Sequence, residues 1–172
     1  MKKIIILVPI FNDWDSFQKL ILEINESIKD IENFLFDCVV VNDASINETP
    51  NFQKPKKFKS LKILNMKKNK GHARCNAFGI RYISQNEKFD YLILMDGDGE
   101  DRPSELRSLV KKISDNPSKS VVAKRIKRSE GLFFKFLYSL HKIITHIFTG
   151  NKINFGNYSC LTKEDAIFIS TK

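Results

Sequence analysis

Cysteine is scarce in this chain and poorly placed for covalent or metal work. Cys38, Cys75 and Cys160 are odd in number, far apart and form no CxxC. A disulfide framework and a thiolate zinc site are therefore not expected, and a reducing cytosol suits the chain best. Long apolar runs are missing too. No stretch reaches the roughly 18 uninterrupted apolar residues of a membrane span. The opening MKKIIILVPIF imitates a signal peptide, but NDWDS follows with no small-residue cleavage site, so it reads as a first strand. Neither GxxxxGK(S/T) nor GxGxxG occurs, which sets aside a P-loop ATPase and leaves no dinucleotide fingerprint. Internal repeats and low-complexity linkers are also absent.

A length of 172 residues, with 42% hydrophobic and 28% charged, fits one globular domain able to bury a core. The formal net charge is +9. A basic surface suits nucleic acid, an anionic membrane surface or phosphate-bearing small molecules, and a lysine-rich composition can equally be a genome-wide bias.

Short apolar runs alternate with helical patterns. Ile4–Val8 is continuous, as a strand covered on both faces would be. Residues 14–31 carry Phe17, Leu20, Ile21, Ile24 and Ile28 at helical spacing, with Asn12 or Asp13 as N-cap. Residues 36–43 predict a second strand, the polar stretch 47–60 a surface loop, and residues 61–66 a third strand. A helix is expected over 71–85, a fourth strand over 90–96, a helix opened by Pro103, and a fifth strand over 120–125. Such alternation predicts an α/β fold, a mostly parallel sheet with helices on both faces. In such sheets ligands bind beyond the carboxyl ends of the strands. Asn12 and Asp13, Asn42 and Asp43, Asn69 to Gly71, and Asp96, Asp98 and Glu100 follow strands one to four. All four clusters fall on the same predicted edge.

The last cluster carries the most chemistry. LMDGDGEDRP, residues 94–103, places four carboxylates within six residues of a basic chain. An EF-hand loop starting at Asp96 would need Gly and Glu where Asp101 and Arg107 stand, so calcium of that kind is excluded. In an extended segment, Asp96, Asp98 and Glu100 would face one point. Gly97 and Gly99 would let a bulky ligand approach the backbone. Hard oxygen donors at that spacing suit Mg²⁺ or Mn²⁺, with a substrate diphosphate completing the shell. The plainer alternative is a solvated acidic turn, with Asp101 capping the Pro103 helix.

With these segments the chain resembles glycosyltransferase family 2, which has the GT-A fold of nucleotide-diphospho-sugar transferases. The resemblance runs from residue 3 to about residue 165. VPIFND resembles the family's opening strand and turn. VVVNDAS resembles its VVDDGS signature, with Asn42 where an acid is common. NKGHARCNAFGI matches a further family segment at Asn69, Gly71, Ala73, Asn76 and Gly79. MDGDGEDRPSEL resembles the DxD region. The resemblance implies one inverting displacement at the anomeric carbon. It implies metal ligation by Asp98 chiefly, with Asp96 and Glu100 in support, and a catalytic place for Asp98. It places Asp43 against the nucleobase, either uracil or guanine, so the donor is UDP- or GDP-linked. Pro9, Phe11, Asn12, Asp13, Asn69, Gly71, Asn76, Asp96 and Gly97 would join Asp43 in holding that donor.

The acceptor depends on the last third of the chain. Residues 131–150 form an amphipathic helix candidate with a wide aromatic face and lysines on the other side. Such a helix either lies in a membrane interface or packs on the sheet. Before it stand Lys124, Arg125, Lys127 and Arg128. In the polyprenyl-phosphate branch of the family a similar basic segment precedes interfacial helices. That resemblance implies Arg125 and Arg128 at a lipid phosphate or the donor diphosphate, where a guanidinium fork fits. The alternative is a solvated basic turn. The expected reaction is transfer to a polyprenyl phosphate, by a cytoplasmic enzyme lying peripherally on the inner face of the cell membrane. Competing readings are transfer to a polysaccharide or glycan, an inactive donor-binding homologue, and a basic nucleic-acid-binding module. The last gains little, because the lysines are scattered and no nucleic-acid motif appears. The whole of 1–172 is expected to be one catalytic domain, C-terminally short. His72 is expected to do no more than cap a helix, and Cys75 and Cys160 to be packing residues.

Overall fold

A computed structural model of the chain describes residues 1–123 and 158–171. Six strands form one sheet in the order β3-β2-β1-β4-β6-β5. They are β1 (Lys2–Ile10), β2 (Phe34–Asn42), β3 (Phe58–Asn65), β4 (Tyr91–Leu94), β5 (Val121–Val122) and β6 (Ser159–Thr162). The first four are parallel, while β6 runs antiparallel to both β4 and β5. The helices are α1 (Trp14–Ile28), α2 (His72–Asn86), α3 (Leu106–Asp115) after a 3₁₀ turn at Pro103–Glu105, and α4 (Lys163–Ser170).

The pleat of β1 explains the layering. Its even residues Ile4, Ile6, Val8 and Ile10 join one core with Trp14, Phe17 and Ile24 of α1 and Leu106, Leu109 and Ile113 of α3. Its odd residues Ile5 and Leu7 join a second core with Cys75, Ile80 and Ile83 of α2 and Ala166 of α4. Successive strand residues point to opposite faces, so an unbroken apolar run is what a doubly covered strand requires. Helices on both faces of a mostly parallel sheet are the α/β arrangement expected from the sequence.

Boundaries moved most in two places. β3 begins at Phe58, inside the stretch expected to be loop, because Phe58 is fully buried and pairs with Phe36. The fifth strand shrinks to Val121–Val122. Two elements went unexpected, β6 and α4. Thr162 ends the strand and caps the helix, its hydroxyl accepting from the Asp165 N–H at 3.2 Å. The expected helix over 131–150 and the basic segment with Arg125 and Arg128 lie outside the described residues.

The seating of α2 on the sheet is close. A methyl group at Gly79 would stand 2.5 Å from Leu7 Cδ1 and 3.1 Å from Val41 Cγ2, both in the second core. A larger residue there would have to displace the end of the Leu7 side chain. The middle of α2 is thereby seated against β1 and β2.

Candidate active site

Parallel strands deliver the ends of β1, β2, β3 and β4 to one edge of the sheet. Sequence order reverses beside β1, with β2 on one side and β4 on the other. The crevice at such a reversal is where open α/β sheets place ligands.

The loops after β1 and β2 are tied together. Asn12 takes a left-handed φ of 55°. Its N–H donates to Ser45 Oγ at 2.8 Å, and its Oδ1 accepts from the Ile46 N–H at 2.7 Å. Asp13 caps α1 by accepting from the Ser16 N–H at 3.3 Å, so the cap falls to the second of the two candidates. Pro9 is tolerated inside the sheet because it faces the side where β4 has already ended. Met95 makes the last contact there, donating to Leu7 O at 3.1 Å. Phe11 is 46% exposed and stands open at the edge.

Asn42 and Asp43 do different work. Asn42, where an acid was the common choice, crosses to β3 by donating to Asn65 Oδ1 at 2.9 Å, and accepts from the Ser45 N–H at 3.0 Å. Asp43 is 3% exposed. Its Oδ1 accepts from the Lys70 N–H at 2.7 Å and its Oδ2 from the Gly71 N–H at 2.8 Å. One carboxylate thus holds the whole turn that leads into α2. Asn69, Lys70 and Gly71 are exposed along it. Burial, then the hydrogen bond and charge of Asp43, push the Cys75 thiol up to about 12. Burial alone pushes Cys160 to about 12. Both thiols stay protonated near neutrality, in keeping with packing roles.

Ala44 stands where the VVDDGS signature has glycine, and it holds φ at 58°. An L-residue pays about 1 kcal/mol for that conformation. Ala44→Gly is expected to raise stability by about 0.5 kcal/mol, the relief being partly offset by a more flexible unfolded chain. A denaturant titration at unchanged slope checks it.

After β4 the chain does not run extended through the acidic cluster. It turns at Gly97–Asp98, and Gly99 has φ of 80°. Asp98 is exposed, with Oδ1 accepting from the Glu100 N–H at 2.9 Å. Asp96, Asp98 and Glu100 therefore do not line up by strand alternation. Among the described residues no three His, Cys, Asp or Glu side chains are gathered as a metal cluster. Gly97 has a packing reason: a methyl group there would meet Pro9 O and Ile10 Cγ2, both at 2.8 Å. Asp101 is buried at 5% exposure and does not cap the Pro103 turn; its Oδ2 accepts from the Asp96 N–H at 2.9 Å.

No sequence signal points to a contact between His72 and Asp96. His72, first residue of α2, places Nε2 2.7 Å from Asp96 Oδ1. The hydrogen bond to Asp96, and then the charges of Asp96, Asp98 and Asp101, raise the imidazole pKa above its ordinary value against a smaller opposing effect of burial. Asn76, 8% exposed and one turn along α2, lies 3.4 Å from the same nitrogen. The near atom of Asn76 is its amide Nδ2, a donor, so it can bond His72 Nε2 only in the tautomer whose proton sits on Nδ1, and the two contacts of that nitrogen compete.

The sequence model described as glycosyl transferase family 2 matches residues 5–170. The chain belongs to glycosyltransferase family 2. A protein of Methanocaldococcus jannaschii, MJ0544, itself uncharacterised, is 32% identical over 121 residues, covering 68% of this chain and 49% of its own length. The chain thus spans about half of that curated relative. Among solved structures, mannosyl-3-phosphoglycerate synthase from Rubrobacter xylanophilus superposes with a TM-score of 0.66 at 14% identity, covering 95% of this chain and 54% of that one. Mannosyltransferase PcManGT from Pyrobaculum calidifontis, solved with GDP-Man and Mn²⁺, gives 0.55 at 15% identity, over 95% and 45%. S. aureus TarS, solved with UDP-GlcNAc, gives 0.53 at 18% identity, over 76% and 36%. At these identities the structures show a common GT-A fold. Within the family frame, the site residues expected from the sequence and described here all stand on one sheet edge.

Proposed function

We propose that the chain binds a UDP- or GDP-linked sugar at this edge and passes the sugar, with inversion, to a polyprenyl phosphate at an anionic membrane surface. The carrying observation is that Asp43, Asp96, Asp98 and the start of α2 meet at the point where strand order reverses, in a chain of this family. The loop held by Asp43, with Pro9, Phe11, Asn12 and Asp13 across from it, is the place for the nucleoside. Asn69, Gly71, Asn76 and Gly97 frame the diphosphate end.

The donor set fits a divalent ion shared with substrate. Two carboxylates, Asp96 and Asp98, flank the turn, and Mg²⁺ or Mn²⁺ commonly takes one or two protein carboxylates and draws the rest of its shell from phosphate and water. When bound, such an ion stabilises negative charge developing on the leaving diphosphate. The chain's own task is to hold the donor still, with its anomeric carbon turned toward the acceptor. A phosphate acceptor arrives anionic and needs no general base, whereas a hydroxyl would. Arg125 and Arg128 are the side chains proposed to meet the lipid phosphate. A peripheral position on the cytoplasmic face of the membrane follows from that acceptor and from the basic chain. No helix among the described residues is long and apolar enough to cross a membrane.

A thermal-shift panel tests the donor. Ligand at 100 times its dissociation constant adds about 2.7 kcal/mol of stability, so a UDP- or GDP-sugar with Mn²⁺ should raise the melting temperature by several degrees. Indifference to every UDP- and GDP-sugar overturns the donor. Radiolabelled sugar transfer with and without polyprenyl phosphate tests the acceptor, and label appearing only in glycan overturns it.

A further inference from the structure

We infer that His72 is a positioning residue that aims the Asp96 carboxylate for a divalent cation, an inference that rests on the metal reading above. Asp96 lies beyond the last paired residue of β4, so no strand neighbour sets its direction. Asp101 and His72 both bear on it. Asp101 takes the Asp96 N–H at 2.9 Å, and His72 holds Oδ1 at 2.7 Å. The His72 ring is itself well anchored. It is the first residue of a fifteen-residue helix whose Gly79 sits against Leu7 with no space for a methyl group. Asn76, nine-tenths buried one turn on, packs beside the ring with its Nδ2 3.4 Å from the same nitrogen.

Helix α2 therefore reaches across the edge and holds one oxygen of the Asp96 carboxylate. That geometry suits outer-shell support of a ligand. Carboxylates that bind metals are hydrogen-bonded in turn, and losing such a partner weakens metal affinity by about 10- to 100-fold. The charge arrangement agrees, since His72 faces Asp96, Asp98 and Asp101 together.

The test uses the full chain and Mn²⁺ alone, with unbound Mn²⁺ read by its paramagnetic resonance signal. His72→Ala is expected to bind Mn²⁺ about 10- to 100-fold more weakly than the parent. His72→Gln, whose amide N–H can reach Asp96, should recover most of that loss. Equal binding by His72→Ala, or no rescue by His72→Gln, overturns the assignment while leaving the metal reading intact. Tighter binding by His72→Ala overturns it too, identifying the imidazole as a competitor for the carboxylate. No Mn²⁺ bound by the parent overturns both readings. Should His72→Ala fail to fold, the parent alone suffices: on adding Mg²⁺, the hydrogen-bonded Nε2–H resonance of His72 should persist, and its loss to solvent exchange overturns the proposal.

Discussion

Asp98→Ala is expected to lower sugar-transfer turnover by about 100- to 1,000-fold in Mn²⁺, since a metal-held leaving group is worth several kcal/mol and each 1.36 kcal/mol is tenfold. The same change should move the melting temperature of the metal-free protein by no more than about 2 °C, because exposed substitutions stay within about 0.5 kcal/mol. The separation of the two effects is what makes the experiment sharp. Asp98 is exposed and its carboxylate accepts from the Glu100 N–H. Nothing in the core depends on it. Asp96 cannot be used this way, because its removal also takes a hydrogen-bond partner from His72. Steady-state kinetics with donor and Mn²⁺, alongside thermal unfolding in chelator, give both numbers. Turnover equal to the parent's would remove Asp98 from the chemistry.

Much of the sheet was legible because parallel packing leaves a simple trace. Ile4–Val8 reads as unbroken apolar sequence since both faces of β1 are covered, and the residues after β1 to β4 share an edge because those strands share a direction. The glycine and turn chemistry was misread. Gly97 and Gly99 read in sequence as room for a ligand, whereas Gly97 is crowded by Pro9 and Gly99 adopts a positive φ, and together they bend a segment expected to be straight. β6 left no trace, because Ser159 and Thr162 are polar residues made strand by pairing with β4. The start of β3 was hidden among polar residues for a related reason. It is an edge strand, with Lys59 and Ser60 exposed, and only Phe58 marks it. The His72–Asp96 contact joins residues 24 apart on two elements, and no local pattern records such a meeting.

Asp43→Ala should cost about 3 kcal/mol of stability, from two hydrogen bonds to a charged group worth about 1.5 to 3 kcal/mol each, less what water restores to the exposed amides. For a chain of this length that is roughly a 6–12 °C fall in melting temperature. Two N–H groups, of Lys70 and Gly71, lose their acceptor at once, while the buried site between β2 and α2 gains a void. Asp43→Asn should fall between parent and alanine. Its amide oxygen can keep one of the two N–H groups, and its NH₂ must face the other. Donor affinity should drop in the same order, since the 69–71 turn is then no longer held against the strand ends. Thermal unfolding with and without a UDP- or GDP-sugar reads both. A variant that melts like the parent yet loses the donor would assign Asp43 to the nucleobase alone. One that loses stability and donor together is what a carboxylate acting first on the backbone, and through it on the ligand, must give.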